Sequence, residues 1–159
     1  MSAYEASPKA IPNLAELRET YDFKGKQQVF PSVPVAPITL TISWGQIFAA
    51  ISPFLLETPA DSVVLFKLNE AIAAAFEKPL YSASLDEQSY QTIKVQLTAL
   101  GLVDIRYLQS TTGAMALFWY LTPKGKNLMV RMRAIRSGAA GAQVPLPPGL
   151  PLVRGVYFD

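Results

Sequence analysis

The chain has 159 residues, 50% of them hydrophobic, a formal net charge of +2, and neither cysteine nor histidine. That size and composition fit one domain with a sizeable core and irregular tails. The two missing residue types exclude disulfides, thiolate and imidazole metal sites, cysteine nucleophiles and Ser-His-Asp triads.

Asp, Glu, Lys and Tyr remain as acid-base groups, and no pair of them, Asp104 with Lys94 included, has a spacing that supports catalysis. No enzyme activity, cofactor or metal is expected. The longest apolar run, Ala114 to Leu121, is far shorter than the roughly 20 residues that span a bilayer, and Met1 to Ala6 lacks the character of a signal peptide. A cytoplasmic protein without membrane contact is expected. The charge is unevenly spread: residues 1–104 carry 7 basic and 11 acidic side chains, whereas residues 105–158 carry 7 basic and no acidic ones. Such polarity favours a face for an anionic partner.

In chain order, residues 1–37 read as a leader, with a short amphipathic helix over Pro12 to Tyr21 and an extended linker set by Pro31, Pro34 and Pro37. Ile38 to Ile42 alternates like a short strand. Ser43 with Gln46 makes a capping box for a helix carrying Trp44, Ile47, Phe48, Ile51 and Leu55, with Pro53 as a kink or early stop. Thr58 as N-cap, Pro59 and Asp61 open a second helix whose apolar face is Val64, Leu65, Leu68, Ile72, Ala75 and Phe76, and Pro79 stops it.

Ser84 with Glu87 makes a second capping box, opening a helix over Asp86 to Leu100 that places Tyr90, Ile93, Leu97 and Leu100 on one stripe. Gly101 suits a left-handed C′ position, with Leu102 folding back on Leu97. Val103 to Gln109 and Ala114 to Leu121 read as strands joined by Ser110-Thr111-Thr112-Gly113. Along the second strand Phe118 and Tyr120 share one side and Leu117, Trp119 and Leu121 the other, and one side must be core. That favours packing over a base-stacking role for these aromatics. Thr122 caps the last helix, which begins at Pro123 and packs through Leu128, Met129, Met132 and Ile135. Residues 137–159 form a Gly/Ala/Pro-rich tail ending in a candidate docking strand over 152–158.

The order short strand, three helices, two-stranded wing and C-terminal helix over residues 38–136 resembles the α+β winged helix-turn-helix domain. Leu121-Thr122-Pro123-Lys124-Gly125-Lys126 resembles the Leu-Thr-x-x-Gly signature of bacterial winged-helix regulators, and Leu100-Gly101-Leu102-Val103 resembles their recognition-helix exit. Tyr90 to Leu97 and Trp44 to Phe48 resemble a winged-helix segment near the C-terminus of large bacterial proteins that carry an N-terminal domain of unknown function, a domain not expected within these 159 residues.

The resemblance implies a dimeric bacterial transcription regulator that docks the Asp86 to Leu100 helix in a major groove of double-stranded DNA. Helix geometry then turns Gln88, Gln91, Val95, Thr98 and Ala99 outward, with Thr92 and Lys94 on the flanks. Gln88, Gln91, Thr92, Lys94 and Val95 are the expected groove contacts. Arg106, Lys124, Lys126, Arg131 and Arg133 are the expected phosphate contacts, with Arg136 continuing the track. Asp86 and Glu87 stand at the start of that helix, where they favour the helix dipole but repel a duplex approaching end-on. The alternative is a protein-interaction or assembly module on the same scaffold, whose acidic N-terminal half and Val95, Ala99 surface meet partners; a homodimer or protein partner through the tails is a further expectation.

Overall fold

In the computed structural model, which describes residues 14–138 and 154–158 with side chains from 16 to 133, a short helix α1 (Leu14–Arg18) leads into strand β1 (Thr20–Gln28). β1 pairs antiparallel with β2 (Ala36–Ser43), from Thr20 opposite Ser43 to Gln27 opposite Ala36. This corrects the extended leader: the boundary at 37/38 falls inside a β-hairpin, and the helix expected to Tyr21 ends at Arg18. β1 escapes a period-two reading because its inward positions are Phe23, Gly25 and Gln27, of which one is a large apolar residue. Gly25 is required there, since a Cβ would collide with the Ser84 carbonyl oxygen of the crossing strand β3 (Ser82–Leu85). With β6 (Arg154–Phe158) the sheet runs β3-β1-β2-β6, all neighbours antiparallel. The tail strand thus docks on the edge of β2, while the linker over 139–153 lies outside the described residues.

The first capping box forms as the sequence requires. Ser43 Oγ accepts from the Gln46 N–H at 3.1 Å and Gln46 Oε1 from the Ser43 N–H at 3.0 Å, opening α2 (Trp44–Ile51). All of α2 except Gln46 is buried, which makes it the centre of the core. Pro53 falls in a 3₁₀ turn, Ser52–Glu57, that ends the α-helix.

Thr58 is not the next N-cap: it closes that turn at φ 47°, and α3 (Asp61–Ala74) starts from extended Ala60. The cause lies in the wing. Ala60 bridges Phe118, and the Trp119 N–H donates to the Pro59 carbonyl at 3.0 Å, so residues 59–60 are held extended against the wing by an isolated β-bridge. Val64, Leu68, Ile72 and Ala75 are buried, with Leu65 and Phe76 packed against the core, as the apolar stripe predicts. The helix stops at Ala74, five residues before Pro79.

The second capping box does not form. Ser84 pairs in β3 with Lys26, and α4 (Glu87–Ala99) has Asp86 as N-cap with no side-chain bond. Its C-terminus is a Schellman motif: Gly101 at φ 76° donates to the Thr98 carbonyl and Leu102 to the Leu97 carbonyl. β4 (Val103–Gln109) and β5 (Met115–Leu121) follow as the wing, turning at Gly113 with φ 93°. Thr122 then joins two elements, its Oγ1 accepting from the Gly125 N–H at 2.9 Å and donating to the Gly101 carbonyl at 2.6 Å, to begin α5 (Pro123–Gly138). The side chains of Ile135 and Arg136 lie outside the described residues.

Taken together, α2, α3 and α4 followed by the β4-β5 hairpin form a winged-helix-like unit, with the four-stranded sheet added to it. No helix among the described residues is long and apolar enough to cross a membrane.

The glycine of Leu-Thr-x-x-Gly has a steric cause, because a Cβ on Gly125 would overlap the Leu102 carbonyl oxygen. Gly125→Ala is expected to cost about 1–3 kcal/mol, the range for overpacking at a rigid contact, measured as a lower urea midpoint.

Candidate nucleic-acid interface

α4 turns Ser89, Tyr90, Ile93, Lys94 and Leu97 inward and leaves Gln88, Gln91, Val95, Thr98 and Ala99 exposed. The outward set matches the helical spacing, but the flank does not. Lys94, expected at the flank of the groove contacts, is buried, and its Nζ lies 3.2 Å from Asp61 Oδ2 and 4.9 Å above the Tyr90 ring. The Thr92 hydroxyl donates to the Gln88 carbonyl at 2.9 Å and so serves its own helix.

Asp61, in the first turn of α3, collects three donors. Oδ1 accepts from Tyr90 Oη and from Trp119 Nε1, both at 2.8 Å, while Oδ2 faces Lys94. The Tyr90 and Trp119 rings stack at 6.2 Å. One carboxylate thereby ties α3, α4 and β5 together. Burial first, then the hydrogen bond to Asp61, raise the Tyr90 phenol above its ordinary value of 10.0. The folded state favours the neutral phenol, so the stability it lends is complete below about pH 10 and is lost as pH rises further. In the sequence Asp61 reads as a helix-start residue and Trp119 as core. The signal for their pairing is that a buried Trp and Tyr each need a polar partner.

The expected phosphate contacts separate into two groups. Arg106 is exposed but its Nε donates to Asp104 Oδ2 at 2.7 Å, and its guanidinium lies 4.7 Å from the Tyr120 ring. Asp104 and Lys94 therefore each have another partner and form no acid-base pair. Lys124 is half-buried, its stem laid against Gly101 at the end of α4. Lys126, Arg131 and Arg133 are exposed on α5, around a packing face of Leu128, Met129 and Met132, with no ion-pair partner among the described residues. β5 and α5 contain no carboxylate to balance them.

Between the outer face of α4 and the wing runs a groove of about 490 Å³, lined by Gln91, Lys94, Val95, Thr98, Ala99, Ile105 and Leu117. Its lysine is neutralised by Asp61, and Val95 at its centre is 69% exposed. Tyr107 and Met115, on the wing face shared with Leu117, are also exposed, so the concavity is apolar where a duplex would meet cations. Asp86 and Glu87 are exposed at the start of α4. No group of three acidic residues among the described positions could hold a metal ion.

No protein-family model and no curated protein matches the chain. Among solved structures it is similar to a PadR-like transcription factor from bacteroid fragilis, at 22% identity and a TM-score of 0.42, over 59% of this chain and 82% of that one.

Asp61→Asn should leave Lys94 buried without its counter-charge and lower stability by about 2 kcal/mol, whereas Lys94→Met, which removes the charge and keeps the stem, should cost less. Urea titration of both variants, followed by the fluorescence of Trp44 and Trp119 together, checks the order.

Proposed function

We propose that the chain is a winged-helix-like DNA-binding module that holds the duplex mainly by its phosphates, through Lys126, Arg131 and Arg133 on α5 with Lys124 and Arg106 beside them. The observation that carries this reading is the exposed, carboxylate-free cationic face of α5. Cations placed this way bind a polyanion without regard to sequence. Gln88 and Gln91 are free to meet base edges, and Val95 to meet a thymine methyl. The internal bonds of Thr92 and Lys94 count against that role for them. Binding is therefore strongly salt-dependent and only weakly selective. A regulator that reads one operator sequence is the narrower form of the same proposal.

The neutral, apolar groove between α4 and the wing favours a second reading, in which that surface receives a protein.

Fluorescence anisotropy with a random duplex, repeated over a salt series, tests the first reading. Binding should weaken linearly in log-log form, and charge reversal of Lys126 with Arg131 should flatten the slope by about 0.9 for each phosphate no longer neutralised. No binding at low salt would remove the DNA reading. A Gln91→Ala change should leave affinity for random duplex within about twofold, since that side chain carries no charge.

A further inference from the structure

We infer that the α4-wing groove is a self-association surface whose occupant is the exposed face of α5 from a second copy of this chain. It rests on the reading in which that groove receives a protein. The groove's apolar floor is formed by Val95, Ala99, Ile105 and Leu117. Glu87 stands one helical turn before the groove-lining Gln91, on the α4 stripe that continues to Lys94 and Thr98, so a carboxylate lies just beyond a groove whose own lysine is paired with Asp61. Glu87 is exposed, with no ion-pair partner among the described residues.

The chain itself displays the complementary surface. On α5, Val130 is 50% exposed and is flanked by Lys126, Arg131 and Arg133. An apolar residue framed by cations suits an apolar groove with a carboxylate one turn beyond it, whereas the phosphates of a duplex gain nothing from the apolar floor. The two elements meet where Lys124, at the start of α5, lies against Gly101 just past the end of α4. A twofold axis that seats each α5 face in the other copy's groove would bury both in a reciprocal contact that closes on itself as a dimer. The contact occupies the same α5 cations that hold phosphate, so duplex and second copy compete.

Sedimentation equilibrium of the full chain at low and high salt tests this. A monomer-dimer equilibrium is expected that weakens with salt, and Val95→Glu should weaken it by about tenfold or more, a factor equivalent to about 1.4 kcal/mol. Lys126→Glu should also weaken it, and Lys126→Glu with Glu87→Lys should restore it. Circular dichroism of each variant confirms that the fold is intact. A chain that stays monomeric at every concentration overturns the inference, as does a dimer indifferent to Val95→Glu. A monomer that still binds duplex refutes this interface and spares the DNA reading, whereas a dimer that ignores duplex does the reverse.

Discussion

The Asp61 carboxylate is the constraint on which the rest depends. It stands at the start of α3 and receives Tyr90 and Lys94 from α4 and Trp119 from β5, so it fixes the helix that would face a partner relative to the wing beside it. Around it Ile93, Leu97, Leu68 and Trp119 are fully buried, and the network is the polar element within an otherwise apolar junction. A polar cluster of this kind, with Lys94, Tyr90 and Trp119 buried and Asp61 partly so, is stabilising when every member is bonded and costly when one is removed. The short bridge from Ala60 to Phe118 brings the carboxylate to the wing, because it anchors the residues just before α3 on β5.

The same interaction decides the character of the surface. By drawing Lys94 inward it removes the cation from the outer half of α4, and Asp104 balances Arg106 on the wing. Of the cations on α4, the wing and α5, those exposed and without an ion-pair partner among the described residues are left on α5, while α4 and the wing enclose an apolar groove. Charge and concavity, which a conventional duplex site would combine, are thus on different elements of one molecule. This division is why phosphate binding is assigned to α5 and protein docking to the groove, with the α5 cations as the surface for which the two compete.

The local signals in the sequence are strong where they depend on a single helix end or turn. Ser43 with Gln46, Gly101 with Leu102, and Thr122 with Gly125 can be read from spacing, because each motif closes within a few residues. The outward face of α4 is legible for the same reason, from Gln88 to Ala99. What escapes depends on long-range pairing. β1 has weak alternation and is specified by its neighbours β2 and β3, and Ser84 looks like a cap until Lys26 is seen opposite it. Thr58 likewise has the chemistry of an N-cap, but wing pairing at residues 59–60 sets where α3 begins. Lys94 is misplaced by periodicity, which leaves it at the edge of the buried stripe, and a partner 33 residues away decides which way it turns.

The division of surfaces is tested most directly by mapping backbone amide shifts of the isotope-labelled chain during titration with a short duplex at low salt. The account predicts that the largest shifts fall on α5 between Lys124 and Arg133, with weaker ones at Gln88 and Gln91. Shifts concentrated on Val95, Thr98 and Ala99, with α5 unmoved, would contradict it.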